Sequence, residues 1–409
     1  MTHRESPWDV AVLGAGSAGL AAAISAARQG ARTLMIERHG YCGGMGTAAL
    51  VHSFCGLYLL REAPRAVLAN QGFPAEIAGR MIAATGIGPR RMGRVDVLPQ
   101  HPVEFVSIAD ALIAGEANLT PLFHAELTAI HRERDDSWKL EIAGRAGHQS
   151  TTARTIVDAS GDAVAAGMLG TGTAIAASPR LQRPAYVFGL HGVEPSGDDE
   201  GLRIAGLIVD GIRAGRLDHA ALGIAFRPSG RPGEVFGTID LAGDEADSPY
   251  DPCDTRTLTA IELRGRAIAT QATHWLRDRH PGWKNAHISH WPARAGIRES
   301  RRWVGEQILT GDDIRHGRRF EDDACLATWP MEFRENTRGP KLVYPVDDRP
   351  TGIPLACLRP QGIDRLWVAG RCISTDHDAQ ASIRVMGTCF ATGEAAGLAA
   401  ARESITRTP

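Results

Sequence analysis

The sequence predicts an α/β fold with a largely parallel sheet, and three observations support this. Residues 9–13 and 33–36 are short apolar runs joined by a helix-like segment, which is the pattern of a βαβ unit. A similar run at residues 155–158 ends in a turn, and another at 366–369 precedes the last helix-like segment. Continuous short apolar runs are typical of strands that are buried on both faces of a parallel sheet.

The composition of the 409-residue chain is that of an ordinary globular protein with two or three domains. The formal net charge is -2, so nothing indicates a nucleic-acid partner. The uncharged stretch 10–27 is rich in Ala and Gly, and Glu5 and Asp9 lie where a signal peptide carries positive charge. The seven cysteines form no CxxC pair and no zinc-like cluster. We therefore expect a cytoplasmic protein with no metal site and no membrane insertion.

Three glycines with GxGxxG spacing follow the first apolar run. Gly14 permits a tight turn, Gly16 lets the backbone approach a pyrophosphate, and Gly19 lets the helix pack closely on the strand. The helix that starts here offers N–H groups and partial positive charge to phosphates, which places Ser17 and Ala18 in the same site.

An acidic residue completes this pattern. Glu37 ends the second strand and can accept hydrogen bonds from ribose hydroxyls. Strand, glycine motif, helix, strand and acid in this order form the dinucleotide-binding fingerprint, which a tight turn in an apolar helical hairpin would not require. The fingerprint does not distinguish FAD from NAD.

A pair of glycines shortly after the acid favours FAD. Gly43 and Gly44 lie where the chain of two-dinucleotide-type flavoproteins passes under the pyrophosphate towards the isoalloxazine, and glycines allow this close approach. Arg38, Met45 and Thr47 belong to the same segment, and we include them in the predicted site.

Five segments together resemble the FAD-dependent oxidoreductase family, in its fumarate-reductase/succinate-dehydrogenase-like branch. They are GAGSAGLAAA at 14–23, ERHGYCGGMGTAALV at 37–51, TIVDASGDAVAA at 155–166, RAGIRESRRWVGEQILTGDDI at 294–314 and LWVAGRCISTDHDAQASIRVMGTCFATGEAAG at 366–397.

The resemblance implies FAD as the cofactor and a discontinuous, Rossmann-like FAD-binding domain with an inserted mixed α+β substrate domain. We predict the FAD-binding domain at residues 1–48, 100–170 and 355–409, and the substrate or cap domain at 49–99 and 171–354. Within the second domain, the runs 186–190 and 234–239 suit an antiparallel sheet, and residues 257–277 have helical apolar spacing.

The resemblance also places further residues at the cofactor. The turn with Gly161 would lie against FAD, although a plain surface turn is the alternative, and Leu127 would meet the adenine through its backbone. Gly370 forms the turn after the last strand. Many flavoproteins have an acid after this glycine, whereas this chain has Arg371, so the role of Arg371 is open.

The last helix, which begins near Val385, is rich in small residues. The resemblance directs its unsatisfied N–H groups at the flavin pyrimidine ring, with Gly387 and Thr388 letting the backbone touch that ring. Gly393 and Gly397 would let the helix lie flat against the first βαβ unit. A merely Ala-rich packing helix is the alternative.

Four residues are candidates for catalysis. By this resemblance, Arg298 and Arg301 fall in the family's Arg-x-Ser-Arg motif and could clamp a substrate carboxylate, although a solvated or interdomain salt-bridge face would use the same residues. His377, flanked by two aspartates, could be a tuned base or a structural loop histidine, and the resemblance places it on a loop that faces the flavin. Arg384 is a candidate for contact with the substrate or with flavin O2.

The sequence therefore predicts an FAD-dependent oxidoreductase, a dehydrogenase or reductase that exchanges hydride between flavin N5 and a small polar, carboxylate-bearing molecule. A non-catalytic electron-transfer subunit and a flavin monooxygenase are the alternatives, although the monooxygenase sequence GxWxWxIP is absent. Because no second glycine motif follows a strand, electrons would come from the substrate or a redox partner protein. A homo-oligomer remains open, as does a redox or covalent-flavin role for Cys42 and Cys55.

Overall fold

The computed structural model describes residues 6–60, 65–177, 180–194, 199–241, 250–335 and 339–405. None of the helices in these residues is both long enough and apolar enough to cross a membrane. In chain order they are α1 (Ser17–Arg28), α2 (Phe73–Thr85), α3 (Pro102–Ala114), α4 (Val164–Leu169), α5 (Glu200–Arg213), α6 (Thr255–Arg279), α7 (Gly311–His316), α8 (His377–Ile383) and α9 (Met386–Ile405).

The strands of the described residues are short, apart from β9. They are β1 (Trp8–Leu13), β2 (Thr33–Ile36), β3 (Ser53–Phe54), β4 (Arg90–Met92), β5 (Val95–Pro99), β6 (Leu119–Leu122), β7 (Glu126–Arg132), β8 (Trp138–Gly144), β9 (Gly147–Asp158), β10 (Thr173–Ala174), β11 (Ala185–His191), β12 (Ala225–Pro228), β13 (Glu234–Asp240), β14 (His287–His290), β15 (Arg302–Trp303), β16 (Asp323–Ala327), β17 (Met331–Phe333), β18 (Lys341–Val343), β19 (Thr351–Pro354) and β20 (Leu366–Val368).

The largest sheet has seven strands and confirms the predicted α/β fold. Its order is β6-β2-β1-β9-β8-β7, and β20 also pairs with β9. Strands β6, β2, β1, β9 and β20 run parallel, whereas β7, β8 and β9 form an antiparallel meander. The carboxyl ends of the parallel strands therefore meet at one edge, where ligands of open α/β sheets bind.

The apolar side chains form two large cores. The first core packs the seven-stranded sheet against α1 and α9, and it includes Phe54, Phe73 and Trp303 from segments that we assigned to the substrate domain. The second core, built from residues 181–295, lies between α6 and the antiparallel sheet β12-β13-β11-β14. Packing thus crosses the predicted boundaries, and the division into domains stays a prediction. The predicted antiparallel strands and the predicted helix of this second core are confirmed as β11, β13 and α6.

Small residues let α9 lie directly on α1, as predicted. A Cβ atom on Gly393 would be 2.1 Å from the carbonyl oxygen of Ala18, and one on Gly397 would be 2.2 Å from that of Ala22. No side chain larger than hydrogen fits at either position without separating the two helices.

Candidate functional site

A cleft opens at the carboxyl edge of the parallel strands. It contains about 1110 Å³ of empty space, part of it open to solvent. Twelve of the residues predicted to bind the cofactor line this cleft. They are Gly14, Gly16, Ser17, Ala18, Glu37, Arg38, Gly44, Met45, Leu127, Gly161, Gly370 and Arg371.

The turn between β1 and α1 forms the floor of the cleft. Gly14 has a φ of +88°, and a Cβ atom there would be 3.0 Å from the carbonyl oxygen of Ala159. Gly16 is the N-cap of α1, and no side chain caps this helix. A Cβ atom on Gly19 would lie 1.8 Å from the carbonyl oxygen of Gly14, so this glycine serves packing behind the cleft, as its spacing predicts. The N–H groups of the first turn are left for a ligand.

The paired glycines cross this turn at close range. The N–H of Gly43 donates to the carbonyl oxygen of Ala15 at 2.9 Å, and a Cβ atom on Gly44 would lie 2.8 Å from Cα of Gly16. Gly43 and Thr47 do not line the cleft: Gly43 has a φ of +106°, and the Thr47 hydroxyl donates to the carbonyl oxygen of Cys42 at 2.7 Å. These two residues hold the turn that brings Gly44 and Met45 to the site.

Glu37 is buried at the end of β2 with its carboxylate fixed. Oε2 accepts the N–H of Ala15 at 2.7 Å, and Oε1 accepts the N–H of His39 at 2.9 Å. A carboxylate has about four lone-pair positions, so two remain for ribose hydroxyls.

Arg371 is paired with a carboxylate that the sequence analysis did not assign. Its Nε donates to the carbonyl oxygen of Gly161 at 2.7 Å, its Nη1 donates to that of Ile297 at 2.8 Å, and its Nη2 binds Asp162. Burial alone would raise the pKa of Asp162. The charges of Arg371 and Arg294, with hydrogen bonds from Ser300 and Arg371, together outweigh burial and lower the pKa to about 2. The carboxylate of this part of the cleft is therefore Asp162, in the turn after β9, and the residue after the last strand is the cation Arg371.

The start of α9 differs from the prediction. The N–H of Gly387 donates to the carbonyl oxygen of Cys55 at 2.9 Å, and a Cβ atom on Gly387 would lie 2.5 Å from the backbone of Gly56. The close approach that Gly387 permits is therefore to residues 55–57. Thr388 is fully buried and also does not line the cleft. Met386 and Cys389 are the α9 residues that do.

Arg384 is the one predicted catalytic residue that lines the cleft. It follows α8, and its Nη2 donates to the carbonyl oxygen of Glu332 at 3.1 Å. Its Nε is buried without a partner in the described part of the chain. Burial lowers the pKa of Arg384 to about 10, so the guanidinium remains a cation at neutral pH.

His377 begins α8 and does not lie on a loop, which corrects our expectation. The preceding Asp376 accepts the N–H of Ala379 at 2.7 Å and so caps the helix at this point. His377 Nδ1 lies 3.0 Å from Glu299, and its Nε2 lies 2.8 Å from Glu335. Burial opposes the charged form, but the two carboxylates outweigh burial and raise the pKa of His377. His377 does not line the cleft.

Arg298 and Arg301 also lie away from the cleft. Arg298 Nη2 pairs with Asp240 at 2.7 Å, and its Nη1 binds the carbonyl oxygen of Arg183. Arg301 packs over Gly167, where an added Cβ atom would be 2.5 Å from Nη1. Arg298 thus forms a salt bridge, and both partners of its side chain lie within the same predicted segment, 171–354. The catalytic roles of both arginines stay predictions.

Asp162, Arg294, Met386 and Cys389 line the cleft without having been assigned to it. The position of Asp162 directly after Gly161 at the end of a parallel strand was the signal that could have found it. Cys42 and Cys55 are free thiols, and burial raises the pKa of Cys55 to about 12. Within the described ranges, no three His, Cys, Asp or Glu residues are grouped to hold a metal ion.

A family model described as FAD dependent oxidoreductase matches residues 9–408. The chain belongs to the FAD-dependent oxidoreductase family. FAD is therefore the cofactor of this enzyme. The cleft fits it: the uncapped start of α1 and the glycine crossing suit a pyrophosphate, and the fixed carboxylate of Glu37 suits a ribose.

Comparison with known proteins adds distant structural similarity only. No curated protein matches the sequence. CabE, an aromatic hydroxylase from angucycline biosynthesis, is 16% identical to this chain, with a TM-score of 0.44. The match covers 74% of this chain and 54% of CabE, so this chain spans about half the length of that protein. A geranylgeranyl bacteriochlorophyll reductase-like protein from Thermoplasma acidophilum is 15% identical with a TM-score of 0.45, over 97% and 77%. p-Nitrophenol 4-monooxygenase from Pseudomonas putida DLL-E4 is 12% identical with a TM-score of 0.40, over 74% and 70%.

Proposed function

We propose that this FAD-dependent oxidoreductase, as a fumarate-reductase-like member of its family, exchanges hydride with a small carboxylate-bearing substrate held by Arg384. The observation that carries the proposal is the Arg384 guanidinium in the wall of the cleft, whose buried Nε has no partner in the described residues. A half-buried cation whose buried Nε is unused is suited to a carboxylate.

The neighbouring charges leave Arg384 available for such a ligand. Asp240 accepts from Arg298 at 2.7 Å and from Arg334 at 2.6 Å. The carboxylate of Glu332 accepts from Arg334 and from Trp329 and offers Arg384 only its backbone carbonyl. The other two arginines of this group thus have carboxylate partners, whereas Arg384 has none among the residues that the structure describes.

Bound FAD supplies the hydride acceptor or donor at N5. In this proposal, Arg384 fixes the substrate's carboxylate, and the apolar side chain of Met386 excludes water beside it. Proton transfer by His377 stays a prediction, because its ring lies outside the cleft and both of its nitrogens face carboxylates.

The experiment follows the visible absorbance of oxidised flavin in the holoprotein under anaerobic conditions. Small 2-hydroxy and 2-amino acids are offered to oxidised enzyme, and small unsaturated acids to dithionite-reduced enzyme, beside the amide of each acid. We expect acids to react and their amides to react poorly. Arg384→Ala should raise the half-saturating acid concentration about tenfold to a hundredfold while FAD stays bound, and Arg384→Lys should lie between.

The exposed Arg315→Ala on α7 is the matched control and should behave as wild type. Equal reaction of acids and amides, or an unchanged response in Arg384→Ala, would overturn the substrate class. Turnover only with a protein electron carrier would favour the electron-transfer subunit. Incorporation of oxygen into the product would favour the monooxygenase.

A further inference from the structure

Residues 293–303, here called the seam segment, connect the two cores. The N–H of Ala293 donates to the carbonyl oxygen of Ala48 at 2.8 Å, directly after the glycine crossing of the cleft. Further along, the segment bridges to Ala185 at the start of β11 in the second sheet. Ser300 then donates to Asp162 at 2.6 Å and so returns to the cleft. The backbone of the seam segment is therefore fixed on both sides.

Arg294 is the side chain that the seam segment places in the cleft. Its backbone N–H shares the carbonyl oxygen of Ala48 at 3.2 Å. Its guanidinium has no hydrogen-bond or ion-pair partner among the described residues. Burial, with the charges of Arg371 and Arg38, lowers the pKa of Arg294 to about 10, although Asp162 and Glu37 oppose this. An arginine that is half-buried among other cations, with all donors unused, calls for an anion in the cleft.

The neighbours of Arg294 identify which anion this is. Glu37 and Arg38 mark the ribose end of the cleft, and Asp162 and Arg371 mark the turn after β9. Arg294 lines the same cleft as both pairs and is close enough to interact with the charges of all four residues. Its backbone is tied to the segment that crosses the start of α1. The group of FAD that follows the adenosine ribose and carries negative charge is the pyrophosphate.

We propose that Arg294 binds the pyrophosphate of FAD and so completes the cofactor site from the segment that carries the second core. The Rossmann-like part of the chain would supply backbone N–H groups to the phosphates. Arg294 would add a side-chain cation that has no protein partner among the described residues. The proposal does not depend on the identity of the substrate.

The test compares how tightly holoproteins retain FAD, with Arg294→Ala, Arg294→Gln and Arg294→Lys beside wild type and Arg315→Ala. Dilution series with flavin fluorescence give the dissociation constant of FAD. Displacement of FAD by ADP and by adenosine gives their relative affinities, which isolate the contribution of the pyrophosphate. We expect Arg294→Ala and Arg294→Gln to weaken FAD about tenfold to a hundredfold, with Arg294→Lys between them and wild type.

The ratio of ADP to adenosine affinity should fall by the same factor as the FAD affinity, because adenosine lacks the pyrophosphate. A weaker FAD affinity with an unchanged ratio would place Arg294 at the flavin half and overturn the proposal. So would unchanged FAD affinity in all three variants. If Arg294→Ala does not fold, the Gln and Lys variants give the same comparison, with thermal unfolding as the check on folding.

Discussion

At the scale of single residues, the cleft depends on a buried ion pair that reverses a common arrangement. Arg371 occupies the position after the last strand where many flavoproteins have an acid, and Asp162 on the turn after β9 supplies the carboxylate instead. Ser300 also donates to Asp162, and two backbone carbonyls accept from Arg371. A buried pair of this kind is tolerated because nearly every donor and acceptor has a partner.

Asp162→Asn should lower the free energy of unfolding by about 3 kcal/mol near neutral pH, because Arg371 would remain buried without its carboxylate. The folded pKa of Asp162, about 2, lies below its ordinary value of 3.8. The ionised carboxylate therefore contributes stability that is fully present above the ordinary pKa and is lost as pH falls through the folded pKa. In urea unfolding, the difference in the free energy of unfolding between wild type and variant should be constant above about pH 5. It should become smaller as the pH falls towards about 2.

The exposed Asp210→Asn on α5 is the control and should differ little from wild type at any pH. A difference between wild type and Asp162→Asn that persisted undiminished at about pH 2 would show that the carboxylate charge is not what stabilises Arg371.

At the scale of elements, the small residues of α9 serve helix packing. Each glycine inside a helix costs about 1 kcal/mol relative to alanine, yet Gly393 and Gly397 face the backbone of α1 at distances that exclude any Cβ atom. The cost in helix propensity is offset by the contact between α9 and α1, which positions Met386 and Cys389 at the cleft.

Gly397→Ala should destabilise the protein by about 1 to 3 kcal/mol, against the propensity of the helix, because its methyl group would force α9 away from Ala22. Gly206→Ala on α5 is the matched control, since a Cβ atom there meets nothing within 4 Å. We expect that change to stabilise by up to about 1 kcal/mol. Thermal unfolding checks both, and a stabilised Gly397→Ala would contradict the packing argument.

Elements of strong local pattern were predictable from the sequence, and contacts between distant segments were not. The order β1, α1, β2 and Glu37 follows from spacing alone, and α6 follows from its apolar period. The place of His377 could not be predicted, because the aspartate beside it resembles the partner of a base but caps α8. The partner of Arg298 is Asp240, 58 positions earlier in the chain, and no local pattern connects the two.

At the scale of the whole molecule, Glu299 links elements from both cores. It lies in the seam segment and is completely buried. Its carboxylate accepts the N–H of Gln182, pairs with Arg302 at 2.6 Å and meets His377 at the start of α8. The docking of the two cores therefore depends on the charge of this carboxylate and on the proton of the histidine.

His377→Gln should remove a pH dependence of stability. The pKa of His377 in the folded protein lies above its ordinary value of 6.5, so its proton contributes stability that is fully present below about pH 6.5 and is lost as pH rises through the folded pKa. Urea unfolding should show that the free energy of unfolding of wild type exceeds that of the variant at low pH, and that this difference falls as the pH rises. The exposed His274→Gln on α6 is the control.

If the difference in the free energy of unfolding between wild type and His377→Gln did not become smaller with rising pH, the proton of His377 would not be what stabilises the protein. The same variant also examines the catalytic prediction, because an unchanged rate of flavin reduction would exclude His377 from proton transfer.

Because the chain is synthesised from its N-terminus, α1 is made long before α9, and this order affects when the cofactor can be bound. Eleven of the twelve residues of α1 are buried, and α9, which covers that helix, begins only at Met386. Translation at 5 to 20 residues per second separates the two by roughly 20 to 70 s. Until α9 has been synthesised, a nascent chain therefore exposes the apolar, alanine-rich surface of α1, and the first core cannot close beside the cofactor site before that point.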